Sequence, residues 1–302
     1  MKQLLVISGK GGTGKTSVAG SFAALADRPV LADCDVDAAD LHLLLDPEEG
    51  EAHDFEALPG VEIDPAACQA CGVCQTVCVF DAINVGDDGI RRIDAFACEG
   101  CRRCLTACPS GAIRLRKRLA GRWFISRTRF GPLVHARLTP GEENSGKLVA
   151  QVRRAASAVA TRENCDLVII DGPPGIGCPV ISSLSGVDLA VIVTEPTVSG
   201  LHDLKRVLEV ARHFRVPMQV VINKWDLAPE RAEAIERHCR AEGIPLAGRI
   251  PFDGEIAAAI AAGRPPVVGG GNGARAIAAV WRAVSAHLTH DTTGGVRDAG
   301  NT

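Results

Sequence analysis

Eight of the chain's twelve cysteines fall into two copies of one spacing, Cys68-x-x-Cys71-x-x-Cys74-x-x-x-Cys78 and Cys98-x-x-Cys101-x-x-Cys104-x-x-x-Cys108-Pro109. Thiolates at these intervals hold pairs of cubane iron–sulfur clusters. Three closely spaced thiolates wrap one corner of a cube, and the fourth, a helical turn further on, points away and serves the other cube. Neither copy therefore completes a site alone. Cys68, Cys71, Cys74 and Cys108 are expected to hold one 4Fe-4S cluster, and Cys98, Cys101, Cys104 and Cys78 the other. Zinc is the rival for such a pattern, but its structural sites pair two Cys-x-x-Cys knuckles without a third cysteine in the same register. Val79 stands where a proline normally follows the fourth cysteine, which removes no ligand.

A second motif stands at the start of the chain. Gly9 to Thr16 read G-K-G-G-T-G-K-T, a Walker A loop directly after the apolar run Leu4-Leu5-Val6-Ile7. Gly9, Gly11, Gly12 and Gly14 let backbone N–H groups, with those of Thr13, Thr16 and Ser17, close around phosphates. Lys15 reaches the β and γ oxygens, and Thr16 offers its hydroxyl to magnesium. A helix is expected from Thr16 to about Ala26. Gly141 to Leu148 nearly repeats the motif, but Leu148 cannot bind magnesium and Glu142 and Glu143 would repel phosphate. Glu142 to Arg154 is read as the start of a helix instead.

A chain of 302 residues accommodates one sizeable α/β domain and a small insert. It shows neither a secretory apolar segment nor a run of about 20 apolar residues, so a cytoplasmic protein is expected. Abundant cysteine in such a chain points to metal or redox chemistry ahead of disulfides. A net charge of −3 gives no overall attraction to nucleic acid or anionic lipid.

Apolar runs alternate with helical patterns along the chain, as in βαβ units around a parallel sheet. Val30-Leu31-Ala32 ends in Asp33-Cys34-Asp35-Val36-Asp37, three carboxylates at a strand's C-terminal end, where open α/β sheets bind ligands. Pro47 to Glu51 is acidic and turn-like. Further strands are expected at Leu167–Asp171, Leu189–Val193, Gln219–Asn223 and Ala247–Ile250, with helices at Leu201–His213, Pro229–Glu242 and Ala274–Leu288. Val267 to Gly273 reads as a loop and the tail from His290 as disordered. The fold expected is α/β: a mostly parallel-sheet P-loop NTPase domain, residues 1–59 and 116–289, interrupted at 60–115 by a small α+β ferredoxin domain, with a tail at 290–302.

Lys10-Gly11-Gly12-Thr13-Gly14-Lys15-Thr16 resembles the deviant Walker A of the MinD/ParA/Mrp/nitrogenase-iron-protein class of P-loop ATPases. With its insert, the chain resembles over nearly its full length the members of that class that carry a two-cluster ferredoxin domain. The resemblance implies that Lys10 reaches across a nucleotide-sandwich dimer to the partner's phosphates. It places Asp33 near magnesium, gives Asp35 the attacking water to orient, and makes Asp171 the Walker B acid. Gly172-Pro173-Pro174-Gly175 would be the switch loop that senses the γ-phosphate, and Asn223 and Asp226 resemble a base-reading motif. That tetrad also resembles the guanine motif of GTPases, so adenine rests on the family likeness alone. Phosphoryl transfer is mostly positioning and charge neutralisation, which two lysines, magnesium and a water-orienting carboxylate supply.

Cys178 lies seven residues beyond Asp171, much as a cluster-ligating cysteine does in the nitrogenase iron protein. It is read either as a ligand to a bridging cluster or, more commonly for a lone cysteine, as a small packed residue. Cys34, between two carboxylates, is expected to have a raised thiol pKa, and Cys165 and Cys239 to be helix-end or core residues. Arg114 to Arg129 carries seven basic residues with Trp123 and Phe124, read either as a dock for an acidic redox partner or as a solvated hairpin face. His42, His135 and His202 have no ligand-like spacing and are read as surface or capping residues.

These readings converge on a slow or partner-stimulated ATPase with ATP, Mg2+ and two 4Fe-4S clusters. It would work as a homodimer, or a heterodimer with a related ATPase, and deliver electrons to a redox or metallocofactor-assembly partner. No stable membrane anchoring and no nucleic acid are expected. A cluster carrier and a MinD-like switch are the alternatives. The switch is disfavoured because the C-terminal helix lacks the basic residues of a membrane-targeting segment.

Overall fold

The computed structural model describes residues 1–56, 59–139 and 145–290. Two compact units make up the chain: Met1–His53, Trp123–Arg137 and Ser145–Thr302 form one, and Asp54–Arg122 with Leu138–Asn144 the other. The chain opens with β1 (Lys2–Ser8), α1 (Lys15–Leu25), β2 (Val30–Asp33), α2 (Leu41–Leu45) and β3 (Glu48–Glu56). Then come β4 (Gly60–Ile63), α3 (Val73–Thr76), β5 (Ile83–Val85), β6 (Arg91–Ile93), α4 (Arg103–Ala107) and β7 (Ile113–Arg116). After β8 (Leu119–Thr128) and β9 (Gly131–Leu138), the chain continues through α5 (Ser145–Glu163), β10 (Leu167–Pro174), α6 (Cys178–Leu184), β11 (Leu189–Thr194) and α7 (Val198–His213). It ends with β12 (Met218–Asn223), α8 (Pro229–Ala241), β13 (Leu246–Ile250), α9 (Gly254–Ala261), α10 (Pro266–Gly269) and α11 (Gly271–His290).

A nine-stranded sheet has the order β13-β12-β11-β1-β10-β2-β9-β8-β3. Every pairing from β13 through β9 is parallel. Parallel strands need long crossovers, usually helical, and helices cover both sheet faces, so the strands read as unbroken apolar runs. Leu4, Leu5, Val6 and Ile7 of β1 are all fully buried. Phe22 of α1 joins them in the core with its ring 5.0 Å from that of Trp281 in α11. The chain leaves β1 for β2 on one side, while β11 takes the place on β1's other side. That reversal of strand order opens a crevice at the strands' C-terminal ends.

The second unit is built twice over. Strand β4 pairs antiparallel with β7, and β5 with β6. Each half contributes a strand, a cysteine-bearing loop, a one-turn helix and a second strand. Its core gathers Val61, Cys74, Ile83, Cys104 and Ile113, flanked by Cys78, Cys98 and Cys108 among others.

Several local expectations are corrected. Pro47 to Glu51 is no turn: strand β3 begins at Glu48, and charge suits it because it is an edge strand. Val267 to Gly273 holds the short helix α10 and the start of α11, separated by Gly270 at φ 90°. Helix α5 begins at Ser145, and residues 140–144, the acidic start of the expected helix, lie outside the described residues, as does the expected tail except His290, which ends α11. His135 is not a surface residue. It is buried in β9, with Nε2 3.1 Å from Ser126 Oγ and its ring stacked on those of Phe124 and His42.

Burial, with help from His42 and Arg137, lowers the His135 pKa from 6.5 to about 4. The unfolded chain therefore binds a proton between these values that the folded chain refuses, and stability should fall as pH drops through that window. The loss should approach about 2–3 kcal/mol by pH 4. Urea titrations between pH 7 and pH 4 should show it, and His135→Gln should remove most of the slope.

Candidate functional site

The crevice beyond β1 holds a cavity of about 790 Å3 lined by Gly11, Gly12, Gly14, Lys15, Thr16 and Ser17 of the loop before α1. Gly12 and Gly14 take φ of 80° and 91°, the left-handed region that glycine enters freely. Gly14 has a further restriction, since a Cβ there would collide with the Asn223 amide. Asn223 donates through Nδ2 to the Thr13 carbonyl at 2.8 Å and accepts from the Lys224 N–H at 3.0 Å, so it fastens the loop to the end of β12.

Lys15 is buried, with Nζ 3.2 Å from Thr16 Oγ1, 3.2 Å from Asp35 Oδ2 and 3.0 Å from Asp171 Oδ1. Burial alone would lower its pKa, but Asp171, Asp35 and Asp33 outweigh that and raise it. Asp33 and Asp171 are fully buried, and burial pushes both carboxyls above the usual range, Asp171 adding to the shift of Asp33. Both oxygens of Asp33 accept backbone N–H bonds, from Asp35 at 3.2 Å and Leu41 at 3.1 Å, which fixes the turn presenting Asp35. Asp37 also lines the cavity, its carboxyl raised by burial and by Asp35.

Two features fit a magnesium ion. Three carboxylates face one ammonium, an excess of negative charge that a divalent cation would offset. Asp171 Oδ2, moreover, is buried with no hydrogen-bond partner by distance and angle among the described residues, close to Lys15 and Thr16. Such an acceptor is costly to leave unpaired, and a metal-bound water would satisfy it.

Lys10 is placed elsewhere. Its Nζ lies 3.4 Å from Glu195 Oε2, 3.3 Å from Thr197 Oγ1 and 3.4 Å from Ser199 Oγ, all on its own chain. The Gly172–Gly175 segment extends β10 through Pro174, and the Gly175 N–H donates to Ser8 O at 2.9 Å, so Pro173 and Pro174 wall the cavity. Asp226 does not line the cavity. Its Oδ1 accepts the Phe252 N–H at 2.7 Å and so fixes the segment after β13. Pro251, Phe252, Ile256 and Ile260 there form an apolar wall that the sequence reading missed, because nothing in a loop and a short helix marks them as cavity-lining.

In the second unit, Cys68, Cys71 and Cys74 line one cavity together with Cys108 from the other copy. Burial first, then Cys68, Cys108 and Cys71, raises the Cys74 thiol, while the Ser110 hydroxyl and backbone N–H groups favour the Cys108 thiolate. Cys98 and Cys101 likewise act on Cys104, whose thiol is raised chiefly by burial, and Cys78, Cys98 and Cys108 all pack against the core that includes Cys104 and Cys74. Among the described residues no three His, Cys, Asp or Glu side chains converge on a single ion. A cube attaches one cysteine per iron corner, so its ligands stand further apart than those of a mononuclear ion, and this donor set fits cubes.

Two positioning residues were missed. Asp64 and Asp94 each precede the first cysteine of a copy by four residues. Their carbonyls accept the Cys68 and Cys98 N–H at 3.1 and 3.0 Å, and their carboxylates accept the Ala66 and Phe96 N–H at 3.0 and 2.9 Å. Their recurrence at one interval was the available signal.

Cys178 is exposed at the start of α6, whereas Cys34, Cys165 and Cys239 are buried. The Cys34 thiol is raised as expected, though burial leads and Asp33 follows. The basic run is largely paired within the chain: Arg114 with Asp64, Lys117 with Glu56, Arg122 with Asp54 and Arg127 with Glu163.

Asn223→Ala would free the Thr13 carbonyl and lose a buried hydrogen bond of about 1–1.5 kcal/mol. Calorimetric titration with a non-hydrolysable ATP analogue should show binding weakened by about five- to tenfold, with the fold's circular dichroism retained.

Residues 4–267 match the CobQ/CobB/MinD/ParA nucleotide binding domain family. An uncharacterized protein of Methanocaldococcus jannaschii is 40% identical over 225 residues, 74% of this chain and 78% of its own length. An iron-sulfur cluster carrier protein of Aquifex aeolicus is 29% identical over 117 residues, 35% of this chain and 32% of its own length. Among solved structures, the septum site-determining protein MinD of Pyrococcus horikoshii, complexed with Mg-ADP, superposes with a TM-score of 0.57 at 19% identity, covering 99% of both chains. That last likeness is one of fold. The chain belongs to the CobQ/CobB/MinD/ParA nucleotide binding domain family.

Proposed function

We propose that this protein is an iron–sulfur ATPase in which MgATP binding and hydrolysis govern electron delivery from two 4Fe-4S clusters to a partner protein. The observation that carries the reading is the gathering of Cys68, Cys71, Cys74 and Cys108 around one cavity. The fourth member comes from the other copy, so the sites interlock. Interlocked sites suit electron relay, because neither cube can leave without disturbing the other's ligands. When bound, the clusters supply one-electron redox centres.

Residues 60–115 then act as a ferredoxin domain inserted between the two parts of a P-loop ATPase domain. In the nucleotide site, the backbone N–H groups from Gly9 to Ser17 and Lys15 bind the phosphates. Thr16 and Asp171 hold magnesium, with Asp33 contributing charge and fixing the turn of Asp35. Asp35 orients the attacking water and accepts its proton. Lys10 of one copy stabilises the phosphates held by its mate, so the protein works as a dimer, slow on its own or stimulated by its partner. Pro251 and Phe252 offer the base an apolar surface, and Asn223 acts through the loop it fastens. A metallocofactor or iron–sulfur assembly factor, or a reductase, is the acceptor class that fits, in the cytoplasm. Among the described residues no helix is long and apolar enough to cross a membrane. A cluster-carrier role is the second reading, favoured by the relative named for that activity.

Anaerobically reconstituted protein should hold roughly eight irons per chain and Cys108→Ser fewer than about four, because loss of one cube disturbs the ligands of the other. A redox titration followed by EPR tests the coupling. MgATP should lower the potential of at least one cluster by tens of millivolts, about 59 mV being a tenfold change for one electron. Equal potentials with and without MgATP, together with intact cubes passing to an apo-acceptor, would overturn electron delivery in favour of the carrier.

A further inference from the structure

The placement of Lys10 has a specific cause. Thr194 ends β11, and the next residue, Glu195, is nearly buried, its side chain 14% exposed. The segment after it is tightly built. The Thr197 N–H donates to the Glu195 carbonyl at 2.8 Å, Thr197 Oγ1 accepts the Gly200 N–H at 2.9 Å as it caps α7, and Thr194 Oγ1 donates to the Gly200 carbonyl at 3.2 Å. Gly200 admits no side chain, because a Cβ there would strike the Glu195 carbonyl. Glu195, Thr197 and Ser199 thus form a fixed row of oxygen acceptors, and the Lys10 ammonium rests on all three.

Glu195 serves two lysines unequally. Its Oε1 lies 2.6 Å from Lys224 Nζ and its Oε2 3.4 Å from Lys10 Nζ. Lys224 follows Asn223, takes the left-handed conformation at φ 54° and lines the nucleotide cavity. It anchors the carboxylate and shares its charge, so Lys10 is held at longer range on a partly exposed side chain, 30% accessible. A pair of this exposure is weak enough to break when a stronger anion competes.

We infer that Glu195 is a cis-docking residue for Lys10, holding it on its own subunit and so raising the ATP concentration needed to pair two copies. This rests on the reading that Lys10 acts across a dimer. A subunit with Lys10 docked is not competent to pair, and the apparent affinity is reduced by the competent fraction. The device is a positioning one, since Glu195 acts only through Lys10.

Two measurements on the whole chain test it. The first is light scattering across a MgATP titration. The second is acetylation of Lys10 by a limiting N-hydroxysuccinimide ester, quantified by peptide mass spectrometry. Glu195→Gln keeps the shape and removes the charge. It should halve-saturate pairing at about three- to fivefold lower ATP and label Lys10 faster. Ser199→Ala should shift both in the same direction by less. Lys224→Met leaves the whole Glu195 charge to Lys10 and should slow its labelling, a reversal that general loosening of the fold would not give. Unchanged pairing and unchanged labelling in Glu195→Gln would overturn the inference. If all proteins stay monomeric in MgATP while Glu195→Gln still labels faster, dimer action is overturned and the docking of Lys10 stands.

Discussion

One ammonium buried among carboxylates organises the nucleotide unit. Lys15 stands at the start of α1, Asp35 beyond β2 and Asp171 within β10, so the group ties together three segments that the sheet brings side by side. Burying any of these charges alone would be expensive, and removing one member of such a pair typically costs about 3–5 kcal/mol. The constraint therefore acts on fold and site together. The register that sets Val6 beside Asp171 and Asp171 beside Asp33 also sets the acids around the lysine. What remains after pairing is surplus negative charge and an Asp171 oxygen without a partner among the described residues, the conditions under which a divalent cation stabilises a phosphate site.

The cysteine-bearing unit obeys a different logic. It has little apolar material: among the described residues its core cluster is Val61, Cys74, Ile83, Cys104 and Ile113, two of them cysteines. Very small cores seldom suffice without metal or cross-links. On the function proposed above, clusters held by the two quartets would add stability to this unit as well as redox chemistry. The paired Asp64 and Asp94 turns show how a repeated backbone device presents the first thiol of each quartet.

Much of this was legible along the chain. The central parallel strands are apolar without interruption because both of their faces are covered, and the phosphate loop announced itself by glycine and lysine at fixed intervals. The gathering of Cys68, Cys71 and Cys74 with Cys108 followed the spacing of the two cysteine runs. Strand β3 was not, since an edge strand is free to be acidic. His135 was not, since its burial depends on Ser126 and Phe124 of the neighbouring strand and on His42 of α2, distant in sequence. The Asp226 bond to the Phe252 amide was not legible either, since it joins residues 26 apart along the chain.

The sequence by itself determined the chemistry available: a phosphate loop after an apolar strand, acids at strand ends, and two quartets of thiols. These are local patterns whose intervals are set by backbone geometry, so they survive reading in one dimension. Only the tertiary structure decided how the groups are spent. It gave both oxygens of Asp33 to backbone amides, set Asn223 to fasten the loop, placed Cys108 with the cysteines of the other copy and laid Lys10 on Glu195. Each of those pairings joins residues far apart along the chain or fixes one partner among several within reach, and only packing selects among such options.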